Sequence, residues 1–270
     1  MTTGHRVPPV PAVLRLVQRS VLGRWRATAE ELYREIADLV EAAPGREILV
    51  SGSGEGTTAE WLAARTGASV TGVEASAGAI EIAEARLRLR SRPIPVTFEQ
   101  GTPDDLPHET AMFDAAIGEP ALASAADPAR AVAELARVVR PMGTVVLLQL
   151  TWSSEITADK REPVIERLGL RPYLLVEWKQ MLRDAGLVDI QVQDWTRGRT
   201  GTGTDGEPPG ALTWRDRMQI VGRAWRSSGW HAARSAVQHE ERLLRELSRE
   251  RSLGFQLIRG IKWPHERPSQ

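Results

Sequence analysis

A short strand that runs directly into three alternating glycines is the feature that most constrains this chain. Residues 47–50 are β-rich, and they are followed by Ser51 and the turn Gly52-Ser53-Gly54-Glu55-Gly56. Glycine is needed in such a turn because the backbone takes unusual angles or because a ligand approaches the main chain closely. A helix predicted from Thr57 presents free N–H groups towards that ligand. The pattern predicts an α/β fold with a ligand site after its first strand.

Strand-like and helical segments alternate along the chain on either side of this turn. Strands are predicted at 47–50, 69–73, 94–98, 112–117, 144–150, 187–192 and 254–263. Helices are predicted at 13–22, 28–41, 57–65, 77–89, 129–139 and 176–185. The alternation predicts a doubly wound, mostly parallel sheet of seven strands, which is a Rossmann-like architecture. N-terminal helices precede this sheet, and a helical insertion comes before its last strand.

Composition excludes several classes of protein. The 35 basic residues are balanced by 35 acidic residues, which argues against a nucleic-acid-binding protein. Cysteine is absent, so disulfides, thiolate metal sites and a cysteine nucleophile are excluded, and no metal site is predicted. The proline-rich start does not have the pattern of a signal peptide, and the longest apolar run, 144–150, is too short to span a bilayer. We therefore expect a cytoplasmic protein.

An acidic residue at the end of the second predicted strand is the second signal. Glu74 lies about twenty positions beyond the glycine turn, where a carboxylate can accept hydrogen bonds from ribose hydroxyls. The turn alone is also compatible with a purely structural bend, and Glu74 favours a nucleoside site. Because the third glycine is Gly56, the dinucleotide spacing G-x-G-x-x-G is not met, and no Gly-Lys-Ser/Thr follows for a phosphate loop.

Together with further segments downstream, these residues resemble the class I S-adenosylmethionine-dependent methyltransferases, especially the branch with quinone methyltransferases and other small-molecule enzymes. The resemblance covers residues 47–194 and returns at 254–264. Its elements after the turn are Val73-Glu74-Ala75, Gly101-Thr102-Pro103-Asp104-Asp105-Leu106-Pro107, Phe113-Asp114 and Leu135-Ala136-Arg137-Val138-Val139-Arg140-Pro141-Met142-Gly143. The resemblance implies the fold of that family, S-adenosylmethionine as cofactor and a last strand that returns antiparallel.

The resemblance also implies roles for individual residues. The glycine turn would hold the methionine part of the cofactor, Glu74 the ribose, and Thr102-Pro103 the adenine edge. Gly118 and Glu119 would line the pocket near the reacting sulfur. Glu119 is the candidate catalytic base, the alternative being a carboxylate that only accepts a hydrogen bond from cofactor or backbone. The complete predicted cofactor-binding set is Ser51, Gly52, Ser53, Gly54, Gly56, Glu74, Ala75, Thr102, Pro103 and Gly118.

Two positions depart from the family pattern. Val50 stands where an acidic residue usually ends the first strand, and Thr102 stands where an aspartate usually contacts the adenine amino group. The loss of a charged acceptor removes on the order of 1 to 3 kcal/mol of hydrogen bonding. These departures keep open the alternative of a non-catalytic binding or interaction protein with a degraded cofactor site. A group transfer other than methyl is a further alternative.

The pattern predicts three parts in the chain. Residues 1–44 form an N-terminal helical segment over the pocket, 45–195 and 253–264 form the cofactor-binding domain, and 196–252 form an insertion rich in tryptophan and arginine. Insertions of this size tend to be functional elements. Three interpretations remain: a lid over an apolar substrate, which we favour; a homodimerisation helix; and attachment to a membrane surface or nucleic acid. The resulting hypothesis is methyl transfer to a small, fairly apolar acceptor held under the lid.

Overall fold

A computed structural model describes residues 29–152, 157, 161–162, 165, 171–195 and 253–264. The strands are β1 (Glu47–Ser51), β2 (Ser69–Glu74), β3 (Val96–Gln100), β4 (Phe113–Gly118), β5 (Val139–Trp152), β6 (Tyr173–Leu174), β7 (Leu187–Asp194) and β8 (Leu253–Lys262). The helices are α1 (Ala29–Leu39), α2 (Thr57–Thr66), α3 (Ala77–Arg88), α4 (Pro128–Val138) and α5 (Leu175–Asp184), with a 3-10 helix at Pro120–Ser124. The predicted helix 13–22 and the predicted insertion 196–252 lie outside the described residues.

The strands form one sheet in the order β3-β2-β1-β4-β5-β8-β7. Neighbours from β3 to β5 are parallel, and β8 is antiparallel to both β5 and β7. The predicted doubly wound, mostly parallel sheet is therefore confirmed, together with its antiparallel last strand. The sheet also contains an eighth strand, β6, which pairs with the end of β5. Sequence periodicity did not predict β6 because two residues are too few to show an alternation.

The central strand β5 is buried on both faces and separates two apolar cores. Its residues Val146 and Leu148 belong to the core under α1 and α2, whereas Val145 and Leu147 belong to the core under α4 and α5. Strands covered by helices on both sides are expected to be largely apolar. Residues 144–152 of β5 are buried and are apolar apart from Thr144, Gln149 and Thr151. The N-terminal helix α1 joins the first core, where its Tyr33 ring lies 5.5 Å from the ring of Trp61 in α2.

The first residues of two strands differ from the prediction by two positions or more. Strand β3 begins at Val96 and not at residue 94, because Pro95 has no N–H to donate to the ladder. Strand β5 begins at Val139, earlier than the predicted residue 144, and continues through a bulge in which Met142 has a φ of 66°. Gly143 permits this path, since a Cβ there would lie 2.6 Å from the carbonyl oxygen of Asp114.

The lengths of the helices bear on whether the chain contains a membrane-spanning helix. In the part of the chain that the structure describes, no helix is long and apolar enough to cross a membrane. The cytoplasmic location itself stays a prediction.

Candidate cofactor site

The register of the sheet brings the predicted site residues to one edge. Ser51, at the end of β1, is paired with Val73 on one side and with Gly118 on the other. Glu74 is paired with Gln100 at the end of β3. The segments that follow these strand ends are the glycine turn, Ala75, Gly101-Thr102-Pro103 and Glu119. Open α/β sheets bind ligands at this carboxyl edge, where the strand order reverses.

The glycine turn has a left-handed backbone at all three of its glycines. Gly52, Gly54 and Gly56 have φ values of 70°, 54° and 77°. The N–H groups of Gly52 and Ser53 donate to the carbonyl oxygen of Val73 at 2.8 and 3.0 Å, which ties the turn to β2. A Cβ at Gly56 would lie 2.2 Å from the ring of Phe98, whereas a Cβ at Gly54 would meet nothing within 4 Å. Gly56 therefore serves packing, and Gly54 borders open space.

Glu74 is bound directly to the glycine turn. Its Oε2 accepts a hydrogen bond from the N–H of Gly54 at 2.8 Å, and its Oε1 accepts one from the N–H of Ser76 at 3.0 Å. An ionised carboxylate offers about four lone-pair sites, so two hydrogen bonds leave acceptor capacity for further donors. Glu74 thus stands beside the open space at Gly54 and retains the capacity to bind a pair of hydroxyls.

Two buried serine hydroxyls, one at the end of β1 and one in the turn, have no hydrogen-bond partner among the described residues. Ser51 is fully buried and Ser53 is 6 % exposed, and neither Oγ has a hydrogen-bond partner among the described residues. Buried hydroxyls are normally satisfied, so these two can serve a polar ligand. The preceding residue, Val50, packs in the apolar core with Ile48 and Ile117 and offers no acceptor. The site therefore has donors at its turn and a carboxylate at β2.

Thr102 has an acidic neighbour. Thr102 is exposed and forms an isolated bridge with Asp105. A hydrogen bond from the Thr102 side chain lowers the pKa of Asp104, and backbone hydrogen bonds and the Arg130 charge contribute in the same direction. An ionised carboxylate therefore lies beside the residue that replaces the usual aspartate of the family.

A pair of charged residues on α4 holds the segment that follows Thr102. Arg137 donates to the carbonyl oxygens of His108 at 2.7 Å and Leu106 at 3.2 Å. Glu134 accepts from the N–H of Leu106 at 3.0 Å and from Arg137 at 2.7 Å. The hydrogen bond with Arg137 lowers the pKa of Glu134 despite partial burial. Sequence reasoning missed this arrangement, although the three-residue spacing of the pair on a helix was visible.

Glu119 is buried at the end of β4 and is 5 % exposed. Its N–H donates to the carbonyl oxygen of Ser51 at 3.0 Å, and its Oε1 accepts a short hydrogen bond from the Thr58 hydroxyl of α2. Burial raises the pKa of Glu119 to about 7; the Thr58 hydrogen bond opposes this rise and the Glu74 charge adds to it. A carboxyl with a pKa near neutrality can hold or release a proton under physiological conditions.

Gln149 of β5 holds the peptide segment around Glu119. Its Nε2 donates to the carbonyl oxygens of Gly118 at 3.3 Å and Glu119 at 3.0 Å, and the side chain is fully buried. Sequence analysis predicted neither Gln149 nor Thr58. Both lie far from Glu119 along the chain, and a glutamine within the apolar run of β5 was the available signal.

The described residues also bear on a metal site and on the role of His108. No group of three or more His, Asp or Glu side chains there has an arrangement able to hold a metal ion. His108 lies edge-on to the Phe113 ring, with a centroid distance of 5.0 Å. Its side chain therefore packs against the end of β4.

Part of this chain is similar to known methyltransferases. Residues 49–147 match the family described as "Methyltransferase domain". The chain is 31 % identical to the O-methyltransferase cnsE of Penicillium expansum, over 61 % of this chain and 60 % of that protein. It is 32 % identical to a ubiquinone biosynthesis O-methyltransferase of Alkalilimnicola ehrlichii, over 56 % of this chain and 61 % of that protein. The chain thus spans less than two thirds of the length of either relative.

A solved structure shares the fold. The geranyl diphosphate C-methyltransferase of Streptomyces coelicolor A3(2), in complex with Mg²⁺, geranyl diphosphate and S-adenosyl-L-homocysteine, superimposes with a TM-score of 0.65 at 17 % identity. The match covers 87 % of this chain and 78 % of that one. At this identity the likeness concerns the fold.

Proposed function

We propose that this chain is a class I S-adenosylmethionine-dependent methyltransferase, which transfers a methyl group from S-adenosylmethionine to a small, fairly apolar acceptor. The match of residues 49–147 to a methyltransferase family and the similarity to O-methyltransferases support this proposal. The observation that carries the proposal is the hydrogen bond from Gly54 to Glu74, which joins the two predicted cofactor-binding elements at 2.8 Å. Beside it lies the open space over Gly54.

The chemistry of the residues present fits this cofactor. The buried hydroxyls of Ser51 and Ser53 suit the polar amino-acid part of the molecule, and Glu74 suits the ribose hydroxyls. Thr102 and Pro103 are assigned to the adenine edge, where the Asp104 carboxylate beside Thr102 supplies an acidic acceptor. The full set predicted from sequence, from Ser51 to Gly118, is retained as a proposal on these grounds.

When bound, S-adenosylmethionine supplies a methyl group that is already activated by its positive sulfur. The protein then has to align the acceptor with that methyl group and exclude water, which can account for a large part of the rate. Glu119 is proposed as the base for an acceptor that keeps its proton at neutral pH. Its buried carboxyl, held by Thr58, has a pKa of about 7, which suits proton uptake near neutrality.

The names of the relatives favour methyl transfer over a non-catalytic binding protein. Both relatives reported above are called O-methyltransferases. Val50 is accommodated as a core residue of the sheet. We therefore keep catalysis as the proposed function. A lid formed by 196–252, a cover formed by 1–44, a homodimer and a cytoplasmic location remain parts of the proposal that rest on the sequence alone.

A screen of acceptors tests this function. The purified protein is incubated with S-adenosylmethionine and a panel of phenols, quinols, amines and small terpenoids, and the release of S-adenosylhomocysteine is followed. Methyl transfer predicts release that depends on one acceptor class and a product that has gained one methyl group, as detected by mass spectrometry. Release of another fragment of the cofactor would show a different group transfer.

A further inference from the structure

The side chain of Glu119 begins directly against the glycine turn. A Cβ placed on Gly52 would lie 3.1 Å from the Cβ of Ala121 and 3.7 Å from the Cβ of Glu119, so both residues pack beside the turn. The carboxyl group then reaches Thr58 in the first turn of α2. Glu119 therefore lies beside the glycine turn, with its carboxyl group bound to the first turn of α2.

The surroundings of Glu119 contain no positive countercharge within ion-pair distance among the described residues. From α2 it faces the neutral hydroxyl of Thr58, and from β5 the Gln149 amide bonds its main chain. The negative charge of Glu74, at the end of β2, acts on the Glu119 carboxyl and disfavours its ionisation. Burial beside a like charge favours the protonated carboxyl.

A cation bound beside the glycine turn would supply the positive charge that Glu119 lacks among the described residues. S-adenosylmethionine carries a positive charge on its sulfur, and its product, S-adenosylhomocysteine, has the same shape around a neutral sulfur. A unit charge several ångströms from a carboxyl in a protein changes its proton affinity by on the order of tenfold. The cofactor is therefore expected to favour the ionised carboxylate, whereas the product lacks this charge and leaves the carboxyl in the protonated form that burial favours.

We propose that the charge of the bound ligand controls the protonation state of Glu119. Glu119 ionises when the cationic cofactor binds and takes up a proton when the neutral product is bound. The inference rests on the proposed function. On cofactor binding the proton passes from Glu119 to solvent. After methyl transfer Glu119 is protonated again, by the acceptor where Glu119 acts as its base and otherwise by solvent. The ionised carboxylate stabilises the cofactor and not the product, so the exchange favours product release.

The coupling between ligand binding and the ionisation of Glu119 depends on pH in a defined direction. At low pH Glu119 is protonated with either ligand, and it discriminates little between them. As the pH rises, ionisation strengthens cofactor binding relative to product binding. We expect the ratio of the product Kd to the cofactor Kd to rise about fivefold between about pH 6 and about pH 8.

Isothermal titration calorimetry with both ligands tests this directly. At neutral pH, titrations in two buffers of different ionisation enthalpy give the number of protons released per ligand bound. We expect proton release with S-adenosylmethionine and none, or proton uptake, with S-adenosylhomocysteine. Glu119→Gln keeps an acceptor for Thr58 but cannot ionise, so the two ligands should become alike in proton release.

A second variant keeps the test decisive if Glu119→Gln fails to fold. Thr58→Val removes the hydroxyl that stabilises the ionised carboxylate, so the pH at which the Kd ratio changes should move upward. Equal proton release with both ligands in the wild type, or an unchanged midpoint in Thr58→Val, overturns the inference. The absence of binding by either ligand at any pH would instead overturn the proposed function.

Discussion

The backbone N–H of Gly54 donates a hydrogen bond of 2.8 Å to the carboxylate of Glu74. This contact joins the turn after β1 to the end of β2, the two neighbouring strands between which the proposed cofactor lies. It makes Glu74 a residue that both shapes the turn and retains acceptor capacity for a ligand. A substitution at this contact can therefore change the shape of the turn, the binding of a ligand, or both.

Substitution by alanine should have different effects on stability and ligand binding at Gly54 and at Gly56 of the same turn. Gly54→Ala places its Cβ in open space, so its cost is the left-handed backbone strain of about 1–2 kcal/mol. The same methyl group projects towards the proposed cofactor. We therefore expect a folded variant with weakened S-adenosylmethionine binding, measured by denaturant unfolding and by titration.

Gly56→Ala is the matched comparison, because its Cβ would lie 2.2 Å from the Phe98 ring. Overpacking adds to the backbone strain, and we expect a loss of about 2–4 kcal/mol in unfolding free energy. The second change Phe98→Leu should recover part of that loss. If Gly54→Ala and Gly56→Ala were equally stable, the difference between the two positions would be refuted.

The Glu134–Arg137 pair should stabilise the segment after Thr102. Arg137→Met removes two hydrogen bonds to carbonyl oxygens and the partner of Glu134, so we expect a loss of about 2–4 kcal/mol. Amide hydrogen exchange at Leu106 should accelerate as well. The control on the same helix is Arg130→Met, whose side chain is 61 % exposed and should be nearly neutral.

Acid sensitivity follows from the same pair. The hydrogen bond from Arg137 lowers the pKa of Glu134 in the folded state. The pair therefore stabilises the protein above the ordinary pKa of a glutamate, and this stabilisation is lost as the pH falls through the lowered folded-state value. Glu134→Gln should flatten this acid limb of the stability profile. An unchanged limb would show that the pair does not contribute.

Glu119 should have the opposite pH dependence in the ligand-free protein. The unfolded chain releases this proton near the ordinary pKa of 4.5, whereas the folded protein keeps it until about 7. The folded state binds the extra proton, so stability falls as the pH rises through this window. Glu119→Gln should gain about 1–3 kcal/mol of unfolding free energy relative to the wild type between about pH 5 and about pH 8. A constant difference across that range would contradict the raised pKa.

The sequence predicted the sheet well because its signals are local and periodic. The glycine turn, the apolar run of β5 and the glutamate after β2 each lie within a few residues of the feature they predict. The early start of β5 was missed because it depends on Gly143 lying against Asp114, which is a contact between two strands.

The polar contacts around the site were less accessible to sequence reasoning. Thr58 and Gln149 reach Glu119 and its neighbour only after three elements, α2, β4 and β5, have come together. Neither residue belongs to a motif with a fixed spacing to Glu119. Pairings of this kind are set by tertiary packing and need the three-dimensional structure.

Titration of the purified protein with S-adenosylmethionine tests the central claim most directly. We predict micromolar binding by the wild type and by Glu84→Ala, an exposed glutamate on α3 that serves as control. In Glu74→Ala the affinity should fall by at least about tenfold, because a charged acceptor for the ligand is lost. Absence of binding by the wild type at millimolar ligand, or equal binding by Glu74→Ala, would contradict the assignment of this site.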